Sequence, residues 1–232
     1  TSFSHGYARN LGVQHATTPL ICFFVADAKL MNTHWLTDMV AMMDDPEIGA
    51  AHIRQLPREG AGPFERFFCD EMYPETVIRS SWQPGEKMSM DKTFFSNVCS
   101  ITRRELIARY PFPEDVIMSE DQAFARDLLK AGYDVLYNGE LAVVHSHDYD
   151  LWTNFRRNFD SAYSLKFITE DGFVYSMKRG LGYIWREAVY FARNGHYLHL
   201  AYLPIYEAGR IAGRLFGGQA ERLPHNLRVK MS

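Results

Sequence analysis

Along the first part of the chain, segments with apolar residues at helical spacing alternate with short continuous apolar runs. Residues 20–25 form a continuous apolar run that is followed by Asp27, a pattern typical of a strand buried on both faces of a sheet. Apolar residues recur at helical spacing before this run, at 4–16, and after it, at 33–44, and residues 48–53 predict another strand. This order of helix, strand, helix and strand is typical of an α/β layer protein.

The same spacing predicts where these helices end and which face is buried. Pro19 ends the first helix because proline cannot continue it, and Asn32 or Thr33 is the expected cap of the second helix. The buried face of the first helix is expected to consist of Ala8, Leu11, Gly12 and Ala16.

The pattern changes in the middle of the chain. Residues 55–92 are rich in Pro, Gly, Glu and Arg, and we expect an active-site loop region with a short helix near 63–72. Further elements are predicted as strands at 94–101, 135–137 and 141–145, a helix at 103–109, and a helix at 119–131 with Phe124, Leu128 and Leu129 inward. From 151 onward the period is helical, with breaks at Gly195 and Pro204. We therefore expect an α/β body at 1–150 and a helical region at 151–232.

Composition narrows the class of protein. An apolar content of 47% with 23% charged residues is typical of a globular chain, and nothing in it predicts a nucleic-acid partner. Three widely spaced cysteines form no C-x-x-C pair, which argues against a zinc knuckle and favours a reducing, cytoplasmic compartment. No apolar run approaches the roughly 20 residues that a membrane-spanning helix needs.

The charges are distributed unevenly. Residues 1–177 carry 16 basic and 25 acidic side chains, whereas residues 178–232 carry nine basic and three acidic ones. A basic, aromatic-rich tail on an acidic body is compatible with a peripheral position on an anionic membrane, such as the inner face of the plasma membrane. The alternative is a helical pair whose apolar face packs on the body.

Two segments contain clustered groups that can take part in chemistry. Ser119 and Gln122 fit a capping box, and Glu120 and Asp121 between them could equally supply a general base and a polar anchor. His145 and His147 end an apolar strand, so both imidazoles are expected on one face, where they could bind a metal ion.

Asp27 follows a predicted buried strand, where ligands bind in open α/β sheets, and its carboxylate suits a divalent cation or a turn cap. Several polar side chains could meet a phosphate or an acceptor. Arg9 and Asn10 lie near a helix start, and Arg54, Arg58 and Arg66 lie around the irregular segment.

Taken in order, these segments resemble glycosyltransferase family 2, whose members have the GT-A fold. The resemblance covers about residues 3–170 and rests on GYARNLGVQHATTPLICFFVADA, SEDQAFARDLLKAGY and AVVHSHDYDLWTNFRRNFD. The family's D-x-D metal motif aligns with Val25-Ala26-Asp27, so this chain keeps the last acid alone, as in the rhamnosyltransferase-like branch. Further matches to that branch are Arg54 to Arg58, Glu65 to Phe67, Tyr73-Pro74, Phe94 to Asn97 and Pro111 to Asp115.

The resemblance implies a role for each matching residue. Asp27 would coordinate Mg²⁺ or Mn²⁺ on the donor diphosphate, with His145 or His147 completing the ligand set. Asp121 would be the general base, with Glu120 positioning the acceptor or the base. Arg156 and Arg157 lie near the place where relatives set a basic element against the diphosphate.

The implied function is transfer of rhamnose or a related deoxysugar, with inversion, from a donor like dTDP-rhamnose to a glycan or lipid-linked acceptor in polysaccharide synthesis. The family's nucleotide-binding half would precede residue 3, so we expect this chain to lack most of the nucleotide pocket and to bind donor poorly, and by itself it could be inactive. Two other hypotheses fit the same residues. One is a catalytically silent glycan- or membrane-binding module of the same fold, favoured by Val25, and the other is a metal hydrolase built on the two histidines.

Overall fold

The computed structural model describes residues 4–171 and 173–232. A mixed six-stranded sheet forms the centre of the body, with the path β1-β5-β3-β6-β2 and with β4 also paired to β6. The strands are β1 (Leu20–Phe24), β2 (Lys29–Leu30), β3 (Ile48–Leu56), β4 (Val77–Ser80), β5 (Cys99–Arg103) and β6 (Asp134–Val144). β3 and β6 are parallel and the other pairs are antiparallel, so the prediction of a mixed α/β sheet is confirmed.

Helices flank the sheet and continue into the C-terminal region. They are α1 (His5–His15), α2 (Trp35–Ala41), α3 (Pro63–Met72), α4 (Arg104–Arg109), α5 (Glu120–Lys130), α6 (Leu151–Leu165), α7 (Phe173–Arg193), α8 (Tyr197–Gly218) and α9 (His225–Met231). Among the described residues, no helix combines the length and apolar character that crossing a bilayer requires.

The long strand β6 corrects two predictions. It runs unbroken through residues 138–141, where we expected a gap, because its pairing with β3 shifts register there and accommodates the extra residues. The first part of β6 pairs with β4, which lies in the segment expected to be irregular. Residues 94–98, predicted to begin a strand, precede β5 instead.

The buried face of α1 also differs from the prediction. Ser4 caps the helix by accepting from the backbone N–H of Tyr7, and the buried residues are Gly6, Asn10 and Val13. A Cβ at position 6 would lie 2.2 Å from the Pro113 carbonyl oxygen, so this close packing requires glycine. Tertiary contact with the 112–114 segment, rather than apolar periodicity, therefore decides which face is covered.

The start of α2 differs from the prediction in the residue at the capping position. Its first helical residue follows His34, which makes no side-chain capping bond. Asn32 accepts instead from the backbone N–H of His34, so it stabilises the turn that precedes the helix. Neither predicted cap occupies the capping position itself.

Apolar clusters cover both faces of the sheet. One cluster joins α5 to the sheet and includes Phe124, Leu128 and Leu129, all fully buried as predicted. The other joins α2 to the opposite face through Met39 and Val143. Together they hold the strand ends in fixed positions relative to one another.

The C-terminal helices pack through small residues and aromatic rings. A Cβ at Gly213 or Gly217 of α8 would lie within 2.4 Å of a backbone oxygen of α6, so glycine permits this close approach. Phe64 of α3 stacks on Tyr206 of α8 with ring centroids 4.1 Å apart, which joins the tail to the body. Pro204, predicted to be a break, lies inside α8, whereas Gly195 adopts a positive φ between α7 and α8.

Candidate metal and base site

The pairing of β2 with the end of β6 brings Asp27 to the two histidines. Lys29 lies opposite Val144 in this antiparallel pair, so the residues before Lys29 face the residues after Val144. Asp27, His145 and His147 offer one ligand atom each, and these atoms lie within 4.8 Å of one another. Residues more than a hundred positions apart in sequence thus form one cluster at a strand end.

Distances within the cluster suit a single cation. The Nε2 atoms of His145 and His147 are 3.1 Å apart, and Asp27 oxygens lie 3.6 and 3.2 Å from these two nitrogens respectively. Octahedral coordination with bonds of about 2.1 Å places neighbouring ligands about 3 Å apart. The Asp27 side chain is 55% exposed and that of His147 is 42% exposed, which leaves one side of the cluster open.

His145 is held from behind by a buried polar network. Its Nδ1 lies 2.8 Å from Oε1 of Gln55, a side chain on β3. Burial lowers the pKa of His145, against the opposing effect of Asp27, so the imidazole is predominantly neutral at neutral pH. A neutral imidazole is the form that binds a metal ion.

Asp121 lies at the first turn of α5, beside Glu120. Ser119 precedes them in the left-handed conformation, with φ of 67°, and makes no side-chain capping bond, so the predicted capping box does not form. A positive φ is costly for a non-glycine residue and marks a backbone that its surroundings hold in place. The turn leaves Glu120 buried in an ion pair with Arg9.

The environment of Asp121 favours its neutral form. Burial, and then the neighbouring Glu120 carboxylate, raise the pKa of Asp121 to about 7. Arg9 and the backbone N–H groups of Gln122 and Asn97 act in the opposite direction. Burial therefore outweighs the tendency of a helix N-terminus to stabilise the carboxylate and lower its pKa.

Residues 96–98 connect the two parts of the site. The hydroxyl of Ser96 accepts from the Gln55 amide that contacts His145, and the backbone N–H of Asn97 donates to Asp121. The carbonyl of Val98 accepts from the backbone N–H two residues before Asp27. The carboxylate and the metal-ligand cluster thus share one supporting segment.

Arg9 and Asn10, expected at a phosphate, are engaged by the body of the protein. The guanidinium of Arg9 pairs with Glu120. The amide of Asn10 bonds to both backbone polar groups of Phe112 and also donates to Glu114. Asn10 therefore fastens α1 to the loop that precedes α5.

The neighbouring arginines of α6 point in different directions. The Arg157 guanidinium lies 4.6 Å from the centre of the Tyr149 ring, and that ring stacks on His147. Arg156 donates instead to the Ser232 carbonyl at the end of the chain. Of the two, Arg157 is the one that places positive charge beside the metal-ligand cluster.

Arg58 braces the loop that holds the histidines. Its backbone N–H and its guanidinium bond to Ser146, and the guanidinium also pairs with Asp148. Ser146 separates His145 from His147, so these contacts fix the spacing of the two imidazoles. The other two arginines of this group contact Glu75, in the case of Arg54, and the Ala61 carbonyl, in the case of Arg66.

Sequence reasoning did not single out Gln55, Ser96 and Asn97 as parts of the site. Gln55 is 6% exposed, and a glutamine buried in a mostly apolar strand is a signal that could have identified it. The roles of the other two residues depend on contacts across the sheet that no local pattern reports.

Comparison with known structures identifies the fold. A mannosyltransferase from Pyrobaculum calidifontis, PcManGT, described in complex with GDP-Man and Mn²⁺, matches with a TM-score of 0.56 and 16% identity over 94% of this chain and 66% of that one. The chain has a glycosyltransferase fold. No protein-family model matches it.

Sequence relatives support a glycosyltransferase family. The O-antigen chain rhamnosyltransferase RfbN of Salmonella typhimurium is 34% identical over 161 residues, which are 68% of this chain and 51% of RfbN. The O-antigen chain rhamnosyltransferase WbaN of Salmonella anatum is 31% identical over 164 residues, 69% of this chain and 52% of WbaN. The chain spans about half the length of these glycosyltransferase relatives.

Proposed function

We propose that this protein is an inverting, metal-assisted glycosyltransferase that acts in cell-surface polysaccharide synthesis. One observation carries the proposal: a cation-sized cluster of Asp27, His145 and His147 shares its supporting segment with the half-buried carboxyl of Asp121. Similarity to two O-antigen chain rhamnosyltransferases supports the reaction class.

Mg²⁺ or Mn²⁺ fits the cluster by its chemistry. Carboxylate oxygen suits both ions, and imidazole nitrogen shifts the preference towards Mn²⁺. The open side of the cluster leaves room for phosphate oxygens of a donor. When bound, the ion would supply positive charge for the leaving diphosphate.

Asp121 supplies the other requirement of the reaction. In a single displacement, the acceptor oxygen bonds to the anomeric carbon, the bond from that carbon to the diphosphate breaks, and the acceptor proton passes to Asp121. A base whose pKa lies near 7 is well matched to this transfer at neutral pH. Glu120, paired with Arg9, holds the turn that presents Asp121.

Arg157 is the arginine we assign to the donor diphosphate. Its guanidinium lies over Tyr149, which stacks on His147, so it flanks the open side of the cluster. Arginine suits phosphate because its planar fork can donate two parallel hydrogen bonds. Arg58 acts on the same site indirectly, through the loop that positions the histidines.

The donor we propose is a nucleoside-diphosphate deoxysugar such as dTDP-rhamnose, and the acceptor a glycan or lipid-linked glycan. The names of both relatives support rhamnose, whereas PcManGT carries GDP-Man. Transfer assays of the full-length protein with dTDP-rhamnose, GDP-mannose and UDP-glucose, with and without Mn²⁺, test this proposal. Metal-dependent transfer from dTDP-rhamnose is expected, and metal-independent transfer would contradict it.

The silent binding module remains the second candidate because Val25 occupies the position of the first acid of the D-x-D motif. Metal-dependent binding of a nucleoside diphosphate distinguishes the two. Binding without any turnover of donor, under conditions where a related transferase is active, would favour the silent module.

We also propose that the tail contacts an anionic membrane surface. Met177, Leu181 and Trp185 form an exposed apolar stripe at helical spacing on α7, and Trp185 is 71% exposed. Lys178 and Arg193 lie on the solvent side of the same helix. An apolar stripe beside cationic side chains is the arrangement of helices that lie in a membrane interface.

Vesicle co-sedimentation tests the membrane proposal. The protein should bind vesicles that contain phosphatidylserine and bind neutral vesicles less. Trp185→Ser should weaken this binding, whereas Trp152→Ser, which alters an exposed tryptophan on α6, should not. Equal weakening by both variants would contradict a specific contact through α7.

A further inference from the structure

Gln55 makes three directed hydrogen bonds from a buried position behind the metal-ligand cluster. Its Oε1 lies 2.8 Å from Nδ1 of His145. Its Nε2 lies 2.7 Å from the Tyr73 hydroxyl and 3.0 Å from the Ser96 hydroxyl. Both N–H groups and the carbonyl of the amide therefore have partners.

These contacts determine which nitrogen of His145 carries the proton. A carbonyl oxygen can accept and cannot donate, so the Nδ1 that faces it must be the N–H of the neutral ring. The lone pair then lies on Nε2, the nitrogen that faces Asp27 and His147. If the Gln55 amide were reversed, its NH₂ would favour the other tautomer and leave a proton on the ligand nitrogen.

Two hydroxyl groups accept from the amide nitrogen and anchor the side chain with its Oε1 facing His145. Tyr73 is buried at the end of α3, and Ser96 lies on the segment that also supports Asp121, so both are fixed by packing. We propose that Gln55 is a positioning residue that holds His145 in the Nδ1–H tautomer and so prepares Nε2 to bind a divalent metal ion. The inference rests on the proposed metal-assisted function.

The tautomer can be measured in metal-free protein. Long-range ¹H–¹⁵N spectra of the histidine rings distinguish Nδ1–H from Nε2–H, and a His145→Gln variant assigns the signal. We expect Nδ1–H in the unaltered chain and a larger Nε2–H fraction in Gln55→Met, which keeps the side-chain length and removes the acceptor. An Nε2–H ring in the unaltered chain would overturn the inference without any variant having to fold.

The second measurement is the affinity for Mn²⁺. Electron paramagnetic resonance determines it by measuring the concentration of free Mn²⁺. Gln55→Met should weaken Mn²⁺ binding about 10- to 100-fold, the usual effect of losing a group that orients a metal ligand. Gln55→Glu keeps an acceptor for Nδ1–H and should restore most of the affinity. Gln14→Met, the same exchange at an exposed glutamine of α1, should leave the affinity unchanged.

The two experiments separate the inference from the proposed function. Unchanged Mn²⁺ affinity in Gln55→Met, with the fold intact by thermal melting, would overturn the positioning role. If the Nδ1–H tautomer depends on Gln55 but Mn²⁺ binds neither to the unaltered chain nor to Gln55→Met, the tautomer assignment stands and the metal-assisted function fails.

Discussion

The region around Asp27 and the region around Asp121 place the same side chain in opposite environments. Asp27 lies at an open strand end, 55% exposed, with two imidazoles beside it. Asp121 lies at the start of a helix that packs into the core, next to the buried Glu120. The first environment leaves a carboxylate available to a cation, and the second favours a carboxyl group that binds a proton.

Under the proposed function, this difference lets one residue type serve two steps of the reaction. Burial and a neighbouring negative charge raise the pKa of Asp121 to about 7, whereas Asp27 lies at a solvated strand end beside two imidazoles. The proposed roles, base for Asp121 and metal ligand for Asp27, follow these two environments. The comparison leads to four tests.

The largest effect is expected for the proposed base. Asp121→Asn keeps the size of the side chain but cannot accept the acceptor proton, so transfer should fall by about 10²- to 10⁴-fold. Initial rates of glycosyl transfer measure this, and Mn²⁺ affinity should stay close to that of the unaltered protein. Transfer at the normal rate would remove Asp121 from its proposed role.

At the strand end that holds His145, we expect the substitution to act on metal affinity. His145→Ala removes a ligand nitrogen and should weaken Mn²⁺ binding by at least about 10-fold, as loss of a metal-site group does. Titration of Mn²⁺ by electron paramagnetic resonance measures this. His15→Ala, which alters an exposed histidine at the end of α1, is the matched control. Equal affinity in the two variants would contradict the proposed metal site.

Stability should respond to pH through Asp121. Its pKa in the folded chain, about 7, lies above the ordinary value of 3.8, so folding favours the protonated form. The contribution is complete below about pH 4 and is lost as the pH rises through 7. Asp121→Asn should therefore raise the free energy of unfolding at pH 8 by about 1 kcal/mol or more, since one pKa unit corresponds to about 1.4 kcal/mol.

Urea denaturation at pH 5 and pH 8 measures that change. Asp27→Asn is the control at the exposed carboxylate and should not raise the free energy of unfolding at pH 8. A gain at pH 8 in both variants, or in neither, would show that the two environments do not differ as described.

The smallest effect is expected in the pH dependence of kcat/KM for glycosyl transfer. The Glu120 carboxylate raises the pKa of Asp121, so Glu120→Gln should lower it and move the rising limb of kcat/KM to lower pH by up to about one unit. Rates measured between pH 5 and pH 9 locate this limb. A shift towards higher pH would contradict this expectation. It would mean that Arg9, which lowers the pKa of Asp121, loses its position when the Glu120 charge is removed.

Particular residues show how far prediction from sequence reached. Asp27, His145 and His147 were predicted as a metal site, and the structure brings them together. The inward residues of α5 were also predicted, because a regular helix on a sheet has one apolar stripe. The buried face of α1 was predicted wrongly, because Gly6 and Asn10 are buried by backbone contacts that hydrophobicity does not report.

The sequence by itself determined the periodic features of this protein, namely the α/β order, the helical tail and the residue types at its strand ends. Tertiary structure alone decided how those residues act. The raised pKa of Asp121 needs burial, the alignment of Asp27 with the histidines needs the pairing of β2 with β6, and the proposed tautomer of His145 needs Gln55. Periodicity is a local property of the chain, whereas desolvation and hydrogen bonding across a sheet depend on residues that are distant in sequence.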